Sequence, residues 1–245
     1  SSPCWKTGPA SRSGPALAVR LRAELVEAEL VRRSNRFVGE VAVAGERALA
    51  HVPNSGRLRE LLYPGARVLV AARTGRRKTA FDLLMAWSGQ HLVSIDTRLP
   101  ATLLVEALEG GRLPELGPFS MLRREVGLGA SRLDLFGDGP GGPCYIEAKS
   151  VTLVEDGVAL FPDAPTARGV RHLQELMRSA EMGYRGAVVF VIQRADARVL
   201  RPHEARDPTF ADALRRASAT VGVLAYACRV TRHEVAISHR VPVVL

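Results

Sequence analysis

The sequence predicts two domains in series, an all-β barrel or sandwich followed by an α/β unit built on a central sheet. Three observations predict it. Through the first hundred residues apolar and polar side chains alternate with period two, the mark of half-buried strands. Beyond Asp96–Pro100 that pattern gives way to helix-spaced runs interleaved with short apolar runs. The length, 245 residues, suits two small domains or one large one.

The opening "SSPCWKTGPASRSGPA", residues 1–16, is small and polar and is expected to be a flexible leader. Residues 17–95 then form the first domain. "AELVEAELV" and "RFVGEVAVAGERALAHV" read as strands with a turn at "AGER", and "PGARVLVAAR", "KTAFDLLMAW" and "HLVSID" continue them across loops at "TGRR" and "SGQ". One helical or irregular insert falls near "GRLRELL". Several short strands in so little chain suit a barrel of the oligonucleotide-binding (OB) type, with a generic sandwich equally compatible with the periodicity.

Residues 96–245 form the second domain. "PATLLVEALEGG" has helical spacing and ends at paired glycines. "RLDLF", "CYIEAKSVTLV" and "GAVVFVIQR" read as strands, and "APTARGVRHLQELMRSAEMG" as a helix with Val170, Leu173, Met177 and Ala180 on one face. "DPTFADALRRASATVG" reads as a helix capped by Asp207, with Pro208 at its first position and Gly222 at its end. "VLAYACRV" and "HEVAIS" close the chain as strands.

No apolar run approaches the roughly 18 residues of a membrane span, and no signal-peptide pattern opens the chain, so a cytoplasmic protein without a membrane partner is expected. Cys4, Cys144 and Cys228 are far apart and form neither a zinc pattern nor a disulfide framework. The formal net charge of +9 favours phosphate backbones and other anionic partners. All but three of the 34 cationic residues are arginine, so the lysine in "EAK" stands out. Unlike arginine, lysine is a compact charge whose proton can be displaced.

"SRLDLFGDGPGGPCYIEAKS" holds the densest chemistry. Glu147 and Lys149 share one face of a strand, with Ala148 on the other. The turn-rich "GDGPGGP" makes a hairpin that brings Asp134 beside Glu147. Two adjacent carboxylates repel unless a proton or cation is shared. Mg²⁺, with Mn²⁺ as an alternative, accepts one or two carboxylates and keeps waters for phosphate oxygens. Lys149 on the same face can steer a water or steady charge on phosphorus. Glu125, in a helix or loop just upstream, could add a third acid. A structural Glu–Lys–Asp network explains the same letters.

The chain resembles the sugar fermentation stimulation protein A family. The match is carried by "RRSNRF", "AHVPNSGRL", "PGARVLV", "KTAFDLL", "REVGLGASRLDL", "YIEAKSVTL", "FPDAPTARGVRHLQEL" and "VIQR", and runs from Leu25 to the end. The resemblance implies an OB-fold amino domain and a carboxyl domain of the PD-(D/E)xK restriction-endonuclease type. It also implies DNA binding, a link to genes of sugar (maltose) metabolism and a Mg²⁺-dependent nuclease-like site. Asp134 then matches the metal-binding aspartate, Glu147 and Lys149 the ExK pair, with Glu147 a second metal ligand, and Glu125 the acid of the preceding segment. The family's "NTxxPN" stands here as "DTRLPA", with Asp96 and Ala101 in place of asparagines, and its "EVK" as "EAK".

For nucleic-acid contact the candidates are Arg32, Arg33 and Arg36 beside Phe37, a pairing suited to single strands, and His51, Asn54 and Arg57 of "AHVPNSGRLREL". Arg59 adds charge there, and a turn held by Asn54 and Gly56 is the alternative. Arg168 and His172, one turn apart at a helix start, could face DNA or the catalytic pocket. Gln174 and Gln193 receive no role. A DNA-binding regulator that uses the nuclease-like fold as scaffold is the alternative function. DNA strandedness and oligomeric state stay open, a homodimer among the options.

Overall fold

The computed structural model describes residues 18–20, 24–75 and 78–245; the expected leader, with Cys4, lies outside them. The chain runs through β1 (Val19–Arg20), β2 (Leu25–Asn35), β3 (Val38–Val43), β4 (Glu46–His51), β5 (Arg67–Ala72), β6 (Phe81–Ser88) and β7 (His91–Ser94). Strands β2 to β7 make one sheet in the order β4-β3-β2-β5-β6-β7. A short parallel pairing of β4 with β6, Ala50 to Phe81 and His51 to Asp82, closes five of them into a barrel. The barrel-or-sandwich question is thereby resolved. The inward residues of the alternating runs, among them Leu30, Val41, Val68, Val70, Leu83 and Val93, fill its interior. The insert near "GRLRELL" is an irregular arm, not a helix: the Leu61 and Leu62 N–H groups turn back onto the Leu58 carbonyl, with Leu58 and Leu61 buried.

The second unit adds α1 (Leu99–Glu109), β8 (Met121–Leu128), β9 (Ser131–Asp138), β10 (Cys144–Val151), β11 (Val154–Glu155), β12 (Val158–Phe161) and α2 (Ala167–Glu181). It continues with β13 (Arg185–Ile192), β14 (Val199–Pro202), α3 (Pro208–Ala217), β15 (Gly222–Val230) and β16 (Glu234–Arg240). Seven strands form a mixed sheet in the order β1-β16-β15-β13-β10-β9-β8, parallel across β10, β13 and β15. Strand β1 thus lies in this sheet, against β16, and not in the barrel. A small sheet of β11, β12 and β14 stands beside it. Helix α1 covers one face together with Leu69 and Met85 of the barrel, so the two units share one apolar cluster. Helices α2 and α3 cover the other.

Local chemistry sets these boundaries. The Asp207 carboxylate caps α3 by accepting the Phe210 N–H at 3.0 Å, as the sequence indicated. The helix stops at Ala217, however, and Gly222 opens β15. The buried face of α2 is rotated from the apolar reading: Leu173 is buried, but so are His172, Glu175, Leu176 and Ser179. Each of those polar groups has a partner, which is what lets it be buried.

Polar bonds fix the barrel to the sheet. The Gln193 side chain, fully buried at the end of β13, bonds Ser94 Oγ at 2.9 Å, donates to the Asp96 carbonyl at 3.1 Å and to Ser150 Oγ at 2.9 Å. The Arg57 N–H donates to Asp163 Oδ2 at 2.9 Å. At Gly56 the approach is so close that a Cβ would stand 2.4 Å from that same oxygen. Any side chain there would force the Asp163 carboxylate oxygen or the Asn54 amide oxygen to shift.

Candidate metal centre and the cleft around it

The expected hairpin forms. Strand β10 pairs antiparallel with β9 as far as Ile146 opposite Leu135. Beyond that point the Asp134 carboxylate takes over, its Oδ2 accepting the Ala148 N–H at 2.8 Å. Alternation along β10 turns Ala148 to the α1 face and Glu147 and Lys149 to the α2 face. There Glu147 is nearly buried, at 4% exposed. Its Oε1 accepts Lys149 Nζ at 2.6 Å and meets His172 Nδ1 at 2.5 Å, while its Oε2 is buried with no hydrogen-bond partner.

The electrostatics follow from this packing. Burial and the neighbouring Glu147 charge push the Asp134 carboxyl up to about 6, against the pull of the Ala148 N–H, Lys149 and His172. Burial acts on Glu147 in the same direction, but the His172 hydrogen bond and Lys149 outweigh it and hold that carboxyl below its ordinary value. One carboxylate is therefore paired and one is short of positive charge. An orphaned Oε2 beside an under-compensated carboxylate is a donor set that suits a hard divalent cation. Among the described residues no group of three or more His, Cys, Asp or Glu gathers as a metal site. Asp134 and Glu147 would hold the ion, with waters completing its shell.

The centre opens into a cleft of about 1310 Å³ between the barrel and the sheet. The walls carry Arg33, Arg36, Arg57, Arg59, Arg98, Arg124 and Arg168 besides Lys149, against the acids Glu125, Asp134, Glu147 and Asp163. Sequence reasoning missed Arg124, whose position on β8 beside the hairpin was its one legible signal.

The other predicted residues divide. Glu125 lies in strand β8, not in a helix or loop: it stands in unbroken register between the pairs Arg124–Leu135 and Val126–Leu133, with φ at 54°. It lines the cleft but is exposed, its carboxylate 3.6 Å from Arg132. Arg33 lines the cleft with its guanidinium already donated to the carbonyls of Arg36, Asn54, Gly56 and Arg57, so it braces the loop. Asn54 likewise donates to the Ile95 carbonyl at 2.9 Å and accepts the Gly56 N–H at 2.7 Å, the turn-holding alternative. Arg36 and Arg57 face the cleft. Arg32 pairs with Glu40 at 2.7 Å, and neither it nor His51 is among the cleft residues. His172 is buried under β10 at 4% exposed, with its ring on Glu147 and not at the open face of the cleft. Asp96, where the family has asparagine, holds Arg98 through both carboxylate oxygens. Cys144 and Cys228 are free and buried, each thiol pushed up to about 12 by burial. No helix among the described residues is long and apolar enough to cross a membrane.

Comparison with known proteins decides the family. Residues 31–95 match the SfsA N-terminal OB domain, and residues 98–234 match the sugar fermentation stimulation protein RE domain. The chain belongs to the sugar fermentation stimulation protein (SfsA) family. A homolog from Desulforamulus reducens is 46% identical over 223 residues, 91% of this chain and 93% of that protein. One from Moorella thermoacetica is 47% identical, covering 86% and 93%. The structure of Pyrococcus furiosus SfsA in complex with Ca²⁺ superposes with a TM-score of 0.85 at 30% identity, over 93% of this chain and 98% of that one. The SfsA fold, an OB barrel followed by the second domain, is the architecture described above.

Proposed function

We propose that this SfsA protein binds DNA in the cleft between its two domains and hydrolyses phosphodiester bonds there with Mg²⁺ or Mn²⁺. The observation that carries the reading is the Asp134–Glu147 pair, with Glu147 Oε2 buried and unpartnered, at the floor of an arginine-walled cleft. A relative solved with Ca²⁺ supports a divalent-cation site, since Ca²⁺ shares the oxygen ligands of Mg²⁺. The ion, when bound, supplies Lewis-acid polarisation of a phosphoryl oxygen and an activated water.

The chain's own residues supply the rest. Cleft arginines hold the polyanion and orient it. Lys149, fixed on Glu147 Oε1, steadies charge developing on phosphorus or guides the attacking water. The family name ties its members to sugar fermentation, and control of genes in that process is the role this reading assigns. Plasmid and oligonucleotide cleavage with Mg²⁺, Mn²⁺ or EDTA tests it. Cleavage lost in Asp134→Ala supports the reading, and equal cleavage by both proteins refutes it.

A second reading is favoured by the saturation of Lys149 and His172 on a single carboxylate oxygen, the economy of a structural network. Here the same fold is a scaffold for a DNA-binding regulator. It is distinguished by salt-steep binding without cleavage under any divalent ion.

A further inference from the structure

One line of side chains links β10 to the mouth of the cleft. Arg168, exposed in the first turn of α2, donates Nε–H to His172 Nε2 at 3.3 Å. A guanidinium is always a donor, so that ring nitrogen must accept, and the imidazole proton then sits on Nδ1, facing Glu147 Oε1 at 2.5 Å. Lys149 comes within 3.4 Å of the same Nδ1, but with Nδ1 protonated this approach holds no hydrogen bond, and its bond goes to Glu147. The order is Arg168, His172, Glu147, Lys149, with Glu147 Oε2 left unpartnered beside it. The two Nη groups of Arg168 have no hydrogen-bond or ion-pair partner among the described residues.

The other cleft arginines lack that combination. Arg33 is spent on carbonyls, Arg98 on Asp96, and Arg124 donates to Thr102. Arg36, Arg57 and Arg59 reach the cleft with no side-chain anchor of this kind. A fork held at Nε and open at both Nη groups matches two oxygens of one phosphodiester, and its ordering entropy is already paid.

We infer that Arg168 is the binding site for a backbone phosphate of nucleic acid beside the Asp134–Glu147 pair, and that His172 is the positioning residue that aims it. The inference rests on the nucleic-acid reading above but not on cleavage. It assigns His172 a task distinct from contact with the polyanion: it ties the phosphate fork to the carboxylate centre, so the two keep a fixed spacing.

The test is oligonucleotide binding followed by fluorescence anisotropy in EDTA between 50 and 300 mM salt, a range chosen for roughly tenfold or larger affinity changes. Arg168→Ala is expected to bind roughly three- to tenfold more weakly and to flatten the slope of log K against log salt by about 0.7–0.9, one phosphate contact. His172→Phe is expected to do the same in the unmodified protein and to add nothing in Arg168→Ala, while His172→Gln, which keeps a donor and an acceptor, retains most of the affinity. An unchanged slope in Arg168→Ala, with the unmodified protein binding normally, overturns the inference and leaves the proposed function standing. A His172→Phe effect that persists in Arg168→Ala overturns the positioning role. No binding by the unmodified protein, either in EDTA or with Ca²⁺ in its place, overturns both readings.

Discussion

Asp134 reaches across the β9–β10 hairpin, and its Oδ2 accepts the main-chain N–H of Ala148 at 2.8 Å. The carboxylate stands in for a strand carbonyl where the ladder ends at Leu135 and Ile146. One bond thus satisfies a β10 amide and sets a negative charge against Glu147. The hairpin that folds the sheet also builds the centre.

That placement carries a pH-dependent cost. The Asp134 carboxyl sits at about 6 when folded, against 3.8 in its ordinary state. Between those values the folded protein holds the extra proton, so this group's contribution to stability falls as pH rises from about 4 to 6 and stays low above. Asp134→Asn is therefore expected to be more stable than the unmodified protein at pH 8, by roughly 1–3 kcal/mol. The gain should vanish near pH 4. Urea unfolding at the two pH values checks it, and equal stability at both contradicts the electrostatic account.

The same proton competes with a cation. Affinity for Mn²⁺, measured by calorimetry, is expected to be flat above pH 7 and to fall about tenfold per pH unit below 6. A profile flat down to pH 5 would mean that Asp134 is not a ligand.

Glu147 behaves oppositely. Its carboxyl is held low by His172 and Lys149 against burial, so its contribution is lost as pH falls through the folded value. Glu147→Ala removes the acceptor for two buried donors and is expected to cost roughly 3–5 kcal/mol. Glu147→Gln, which keeps one acceptor oxygen, should cost less than Glu147→Ala. If denaturant midpoints show equal losses, the pairing is not what stabilises this end of β10.

The join between the domains has its own test. A Cβ at residue 56 would meet Asp163 Oδ2 at 2.4 Å, so Gly56→Ala is expected to destabilise by roughly 1–3 kcal/mol. Asp163→Ala in the same chain removes the clashing oxygen and should recover part of the loss. Additive losses in the double variant would show that the two residues do not meet.

Much of this was legible in the sequence, because period-two alternation and turn chemistry are local. "RLDLF", "GDGPGGP" and "CYIEAKS" gave both strands, the hairpin and the shared face of Glu147 and Lys149. Barrel closure was not legible, because it rests on two residue pairs between β4 and β6 that lie far apart in the chain. Glu125 was misplaced because three consecutive charged residues, Arg123, Arg124 and Glu125, break the period-two pattern that would have marked β8. Arg33 reads like any exposed cation until the carbonyls around it are seen. His172 was visible by its i,i+4 spacing to Arg168, but its burial depends on α2 lying over β10. The orphaned Glu147 Oε2 leaves no trace in sequence at all.

The central claim is that Asp134 and Glu147 share one divalent cation. Anomalous diffraction from a crystal soaked in Mn²⁺ tests it most directly. The account expects a single strong peak within roughly 2.0–2.6 Å of an Asp134 oxygen and of Glu147 Oε2, absent in Asp134→Ala. No peak at that position at millimolar Mn²⁺, or a peak that survives Asp134→Ala, would contradict it.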